Sequence, residues 1–107
     1  MAKTIMAVGA HTGDAQLTSG MLLAKHAMAG DRVIIVDLTA GERGTPQGWT
    51  VSDFRKYNVE CAARFAGKIG GTSIVLDTPD GELYDTKEQE LQLADLMRKY
   101  QVNAVLY

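Results

Sequence analysis

A histidine and an aspartate, His11 and Asp14, stand three residues apart between a short apolar run and a stretch with helical periodicity. An imidazole and a carboxylate can bind one divalent cation together if the backbone between them bends, and Thr12-Gly13 allows that bend. Open α/β sheets bind their ligands at the carboxyl ends of parallel strands. We therefore predict that His11 and Asp14 lie at such a strand end. Their spacing alone favours hydrogen bonding within the loop over metal binding.

The elements around this pair are predicted to alternate between strands and helices. Apolar runs predict strands at about 4–8, 32–38, 72–76 and 102–107, and helical periodicity predicts helices at about 15–29, 52–66 and 86–100. The apolar residues that recur in the first helix are Leu17, Met21, Ala24 and Met28. Loops rich in glycine and proline follow the second and third strands, at 39–50 and 77–82. The order βαβαβαβ predicts a three-layer α/β/α sandwich with a mainly parallel, Rossmann-like sheet.

The composition is typical of one globular domain covering residues 1–107. The chain is 46% hydrophobic and 22% charged, with a net charge of −2. Interspersed charges disfavour nucleic acid and anionic lipid as partners, and no apolar run approaches the roughly 20 residues that span a bilayer. The charge pattern favours small-molecule or protein partners. Because the amino terminus lacks the pattern of a signal peptide, we expect a cytoplasmic protein.

The last predicted strand is apolar up to Tyr107, with no turn or polar segment after it. Domains normally end in solvated segments, so we expect residues 1–107 to be the amino-terminal part of a larger domain. An exposed fourth strand would also allow copies of the chain to pair as a homo-oligomer.

Two other side chains with possible metal or redox chemistry are predicted to be structural. His26 lies about three turns along the first helix, too far from His11 to reach the same ion, and is expected at the surface. Cys61 is the single cysteine, which excludes an intrachain disulfide and a cysteine-rich zinc site. Its neighbours Ala62 and Ala63 favour a buried helical thiol.

The whole chain resembles the amino-terminal half of the LmbE-like or PIG-L family of metal-dependent N-deacetylases. The first-strand motif of that family has the form Ala-His-Pro-Asp-Asp-x-Glu-Leu, which here reads Ala10-His11-Thr12-Gly13-Asp14-Ala15-Gln16-Leu17. Further matches follow in the same order at Gly20, Ala24-Lys25, Gly30, Leu38–Gly44, Arg55, Ala62-Ala63, Gly67 and Pro79–Leu83. The ordered set is more specific than any one of these motifs.

The resemblance implies a Zn²⁺ site with His11 and Asp14 as ligands. In the family a third ligand, a histidine, follows the fourth strand. The resemblance also implies a small N-acetylated substrate, such as an N-acetylated sugar or a related amide. Glu42 would hydrogen-bond sugar hydroxyls, Arg55 would hold a carbonyl or acetate oxygen, and Asp80 would face the same site.

Two residues depart from the family motif. Gly13 stands where the family has the general base that deprotonates the metal-bound water, and Gln16 replaces the family glutamate. A positioned general base is typically worth about 10²–10⁴ in rate, whereas a metal can still activate water without it. Two hypotheses therefore stay open, a zinc-dependent N-deacetylase and a non-catalytic metal- or sugar-binding homologue. A nucleotide-binding domain is disfavoured because Gly9-x-x-x-Gly13 does not match the Gly-x-Gly-x-x-Gly spacing.

Overall fold

The computed structural model describes residues 2–107, which form strands and helices in the predicted βαβαβαβ order. The elements are β1 (Thr4–His11), α1 (Asp14–Met28), β2 (Arg32–Thr39), α2 (Val51–Lys68), β3 (Thr72–Val75), α3 (Lys87–Lys99) and β4 (Ala104–Leu106). A short 3-10 turn, Glu42–Gly44, interrupts the loop after β2. Strand β1 continues beyond the predicted end at Val8, so His11 is the last residue of the strand.

The four strands form one parallel sheet in the order β3-β2-β1-β4. In this register Val36 of β2 lies between Val8 of β1 and Ile74 of β3. Because all strands point the same way, their carboxyl ends lie along one edge of the sheet. The loops that follow β1, β2 and β3 therefore meet at that edge, as predicted.

Both faces of the two central strands are buried. The residues that pack towards α1 and α2 are Ile5, Ala7, Val33 and Ile35, and those that pack towards α3 are Met6, Ile34 and Val36. Full burial of a valine, isoleucine or methionine side chain contributes about 1.5–3 kcal/mol to stability. The alternation explains why β2 reads as a continuous apolar run, and the predicted three-layer α/β/α sandwich is confirmed.

The apolar face predicted for α1 does not pack on the sheet. Its large residues are almost fully exposed: Leu17 at 88%, Met21 at 91% and Met28 at 90%. The buried positions of this helix are instead Ala15, Gly20 and Leu23. A Cβ atom at Gly20 would lie 2.9 Å from the Phe65 ring, so the approach of α2 requires the smallest residue there. The predicted helix is confirmed, but the face that packs on the core is that of Ala15, Gly20 and Leu23.

The ends and faces of the other helices follow their sequences more closely. Thr50, one of two predicted caps for α2, accepts a hydrogen bond from the Asp53 backbone N at 3.0 Å. In α3, the predicted apolar residues Leu93, Leu96 and Met97 pack against the sheet. Within residues 2–107, no helix has both the length and the apolar character needed to cross a membrane.

The structure corrects the predicted burial of Cys61 and shows the partner of His26, which lies at the surface as predicted. Cys61 is only partly buried, and Arg64 Nη2 donates to its sulfur at 3.3 Å. Its side of α2 borders an open groove next to α1 instead of the sheet core. His26 is partly exposed, and its Nδ1 lies 2.7 Å from Asp31 Oδ2 at the far end of α1.

Candidate metal and substrate site

The first part of the site is the turn that joins β1 to α1. His11 ends the strand, Gly13 turns the backbone with a φ of 105°, and Asp14 begins the helix. Asp14 Oδ2 accepts a hydrogen bond from the His11 backbone N at 2.9 Å and lies 3.1 Å from His11 Nδ1. The imidazole and carboxylate thus converge within one turn, as their spacing predicts.

The distance within this pair is suitable for a shared zinc ion. Zinc bonds of about 2.0–2.2 Å to nitrogen and oxygen at a tetrahedral angle separate the two donors by about 3.3–3.6 Å. The observed separation of His11 Nδ1 and Asp14 Oδ2 is 3.1 Å. A neutral imidazole and this carboxylate can therefore hold one ion with little movement. Residues 2–107 contain no group of three or more His, Cys, Asp or Glu side chains arranged for a metal.

A second carboxylate lies on the opposite side of the imidazole. Asp80, in the loop after β3, places Oδ1 3.0 Å from His11 Nε2. The hydrogen bond to Asp14, followed by the negative charge of Asp80, raises the pKa of His11 above 6.5 despite some desolvation. Without a metal, these carboxylates therefore make the ring easier to protonate than a free imidazole.

Glu42 and Arg55 join the loops that follow β2 and β3. Glu42 Oε1 accepts a hydrogen bond from the Asp80 backbone N at 2.8 Å, and its Oε2 lies 3.4 Å from Arg55 Nη1. Arg55 Nη2 also donates to the Leu76 carbonyl at 3.2 Å and to Asp77 Oδ1 at 3.3 Å. The structure thus brings Glu42, Arg55 and Asp80 into one network beside His11. Their predicted contacts with a substrate stay predictions.

A fully buried carboxylate, Asp37, lies beneath the turn and was not identified as a site residue from the sequence. Gln16 Nε2 donates to Asp37 Oδ2 at 3.0 Å, and Gln16 Oε1 accepts from the Gly13 backbone N at 3.0 Å. Among residues 2–107, Asp37 Oδ1 has no hydrogen-bond partner. Burial is the main cause that raises the pKa of Asp37 to about 6. The sequence indicates Asp37 only as an acidic residue within the β-branched run of β2.

Gly13, where the family resemblance implies a general base, is constrained by its backbone rather than by crowding. A Cβ atom there would meet no atom within 4 Å, yet the φ of 105° is one that L-residues rarely adopt. The turn is therefore shaped for glycine, and it carries no side chain that could accept a proton.

An open groove of about 210 Å³ begins at this turn and runs between α1 and α2. Its lining comes from Thr12, Gly13 and Gln16 on one side and from Asn58, Cys61, Ala62 and Phe65 on the other. The groove offers mainly apolar surface next to the histidine–aspartate pair.

A family model described as PIG-L: GlcNAc-PI de-N-acetylase matches residues 6–107. The chain belongs to this family. The PIG-L match includes His11, Asp14 and all three loops at the carboxyl edge of the sheet. A comparison with curated proteins gives no match.

Solved structures share the PIG-L fold seen here. The 4-carboxy-2-hydroxymuconate hydratase GalB from Pseudomonas putida is 28% identical with a TM-score of 0.88, over 96% of this chain and 45% of that one. The N,N'-diacetylchitobiose deacetylase from Pyrococcus horikoshii is 24% identical with a TM-score of 0.90, over 97% and 40%. A conserved protein from Thermus thermophilus is 30% identical with a TM-score of 0.71, over 98% and 45%. The chain therefore spans less than half the length of each of these proteins.

Proposed function

We propose that this PIG-L chain is the amino-terminal part of a zinc-dependent N-deacetylase that hydrolyses the amide of an N-acetylated sugar or a related compound. The observation that carries the proposal is the 3.1 Å separation of His11 Nδ1 and Asp14 Oδ2 at the carboxyl end of β1. Zinc in such sites acts as a Lewis acid towards water and towards the amide carbonyl. A third ligand would come from outside residues 1–107.

The residues around the pair are suited to bind a polar substrate. We assign Arg55 to an acyl or carbonyl oxygen, because its guanidinium is partly exposed and carries donors in a fixed planar arrangement. Glu42 would accept hydrogen bonds from sugar hydroxyls, and Asp80 would face the same substrate. To do so, Glu42 would have to share oxygens that now face Arg55 and the Asp80 backbone N.

A non-catalytic homologue that binds metal or sugar is the second candidate function. It is favoured by Gly13, which has no side chain and a backbone conformation suited to glycine at the position of the family base. Loss of a general base typically lowers the rate by about 10²–10⁴. Slow hydrolysis alone therefore favours neither hypothesis, and zinc content has to be measured separately from amine release. A cytoplasmic location and pairing of copies through β4 stay predictions.

The test uses the full-length protein, with zinc content and release of amine from N-acetylglucosamine conjugates as separate measurements. We expect stoichiometric zinc and measurable amine release, both of which are lost in His11→Ala. His26→Ala is the matched control, since this histidine also pairs with an aspartate but lies at the other end of α1. Folded protein without zinc would contradict the proposal. Stoichiometric zinc without amine release would instead support the non-catalytic homologue.

A further inference from the structure

We infer that Asp80 is a positioning residue that fixes the His11 imidazole so that Nδ1 faces the ion shared with Asp14. This inference rests on the proposed zinc site, and it gives Asp80 a role that differs from substrate contact. The observation behind it is the division of the two ring nitrogens between two carboxylates. Asp14 Oδ2 lies 3.1 Å from Nδ1, and Asp80 Oδ1 lies 3.0 Å from Nε2.

The protonation of the ring determines what each carboxylate can do. A histidine nitrogen that binds zinc carries no proton, so a neutral ring with Nδ1 on the metal has its proton on Nε2. That N–H points at Asp80 Oδ1, which can accept it. A carboxylate that accepts from the second nitrogen of a metal-binding histidine sets the tautomer and the ring orientation.

Asp80 is held firmly enough to perform this role. Only 10% of its side chain is exposed, against 47% for His11. Its Oδ2 accepts a hydrogen bond from the Arg43 backbone N at 2.9 Å, and its own backbone N donates to Glu42 Oε1 at 2.8 Å. The loops after β2 and β3 thus immobilise the carboxylate, whereas the more exposed imidazole depends on it for its orientation.

The same geometry argues against Asp80 as a ligand of the shared ion. The two nitrogens of an imidazole point in directions that diverge by more than a right angle, so one ion cannot lie on both sides of the ring. Asp14 reaches the Nδ1 side and Asp80 the Nε2 side. Asp80 therefore acts through His11 rather than on the metal.

The experiment measures zinc affinity of the full-length protein by competition with a chelator. We expect Asp80→Ala to weaken zinc binding about 10–100-fold, in line with other residues that support metal ligands. Asp80→Asn should lose less than Asp80→Ala, because its amide oxygen can still accept from Nε2, although only by giving up the hydrogen bond from the Arg43 backbone N. The matched control is Asp85→Ala, an exposed aspartate in the same loop, which should bind zinc like the unaltered protein. Thermal unfolding without zinc checks that each variant is folded.

Each outcome bears on the inference separately from the proposed function. Equal zinc affinity for Asp80→Ala and the unaltered protein overturns the inference and leaves the zinc site intact. If amine release by that variant then differs only in KM, Asp80 contacts the substrate instead. Losses for Asp80→Asn as large as those for His11→Ala would make Asp80 a ligand. No zinc binding by the unaltered protein overturns both proposals. Nitrogen NMR of the zinc-loaded protein is independent of the variants, and a proton on Nδ1 instead of Nε2 refutes the inference.

Discussion

Two histidine–aspartate pairs lie at opposite ends of this sheet, and their surroundings differ. At the carboxyl end, His11 Nδ1 is 3.1 Å from Asp14 Oδ2, and at the amino end, His26 Nδ1 is 2.7 Å from Asp31 Oδ2. The second pair is the closer ion pair, but its separation is further from the one that a shared zinc ion requires. The comparison shows that the other partners of each pair, together with its separation, indicate what the pair can do.

The charge of Asp31, in the pair at the amino end, is well satisfied by hydrogen bonds. Asp31 Oδ1 also accepts a hydrogen bond from the Lys3 backbone N at 2.9 Å, so both of its oxygens have partners. That bond, together with the one to His26, lowers the pKa of Asp31 below 3.8. His26 lies in the last turn of α1, where the helix dipole favours a cation. These contacts join the end of α1 to the start of β1 and indicate a structural role.

The carboxyl end concentrates unfavourable features instead. Buried Asp37 has an oxygen without a partner among residues 2–107, and Asp14 and Asp80 place two carboxylates around one imidazole, His11. Proteins tolerate such local conflicts mainly at functional sites. The contrast therefore supports the carboxyl end as the site, and three predictions test it.

The largest stability effect is expected for Asp37→Asn, which should stabilise the zinc-free protein by up to about 3 kcal/mol near pH 7.5. The folded pKa of Asp37, about 6, exceeds the ordinary 3.8, so the folded protein binds the extra proton between these values. The free-energy cost of ionising Asp37 in the folded protein is absent below pH 3.8 and complete above about pH 6. Urea unfolding at pH 3.5 and pH 7.5 measures the difference.

The matched variant for this prediction is Asp77→Asn, which alters an exposed carboxylate at the same end of the sheet. It should change the free energy of unfolding little at either pH. If Asp37→Asn destabilises the protein at pH 7.5, other interactions offset the cost of burying the ionised carboxylate, and the contrast between the two ends becomes weaker.

A smaller effect is expected for Gly13→Asp, which restores the carboxylate of the family base. It should lower the free energy of unfolding by about 1–2 kcal/mol, because the backbone at φ 105° disfavours an L-residue although the space is open. Gly30→Asp is the matched change at the amino end, where φ is 93° and the space is also open. Urea unfolding measures both variants.

Amide hydrolysis by Gly13→Asp adds a functional measurement. A rate that rises while stability falls would show that activity and stability are opposed at this turn. Unchanged stability would show that the turn adopts another conformation easily, which argues against strain at the carboxyl end.

The smallest effect is expected for Asp31→Asn at the amino end. Because the folded pKa of Asp31 is depressed, its stabilising contribution is present above pH 3.8 and is lost as the pH falls through the folded pKa. The variant should therefore unfold at a slightly lower temperature than the unaltered protein at pH 7, with a difference that vanishes in acid. Thermal unfolding across this pH range measures it. Zinc binding should stay unchanged, and a loss of zinc would contradict the structural role.

The sequence predicted the fold well but misidentified one of its packed surfaces. Apolar runs and glycine-rich loops defined every strand and helix in order, since those patterns reflect burial and turn geometry locally. The predicted face of α1 was wrong, because Leu17, Met21 and Met28 point outwards while Ala15, Gly20 and Leu23 pack inwards. Only the position of Phe65 on α2 reveals why Gly20 must face the core.

By itself, the sequence determined the local chemistry of the site. His11 and Asp14 meet because one glycine-containing turn separates them, and neighbours this close in the chain need no other element to converge. The tertiary structure alone decided the contacts of His11 with Asp80, of Glu42 with Arg55 and of Gln16 with Asp37. These partners lie on different loops, helices and strands. The parallel order β3-β2-β1-β4 brings them to one edge of the sheet.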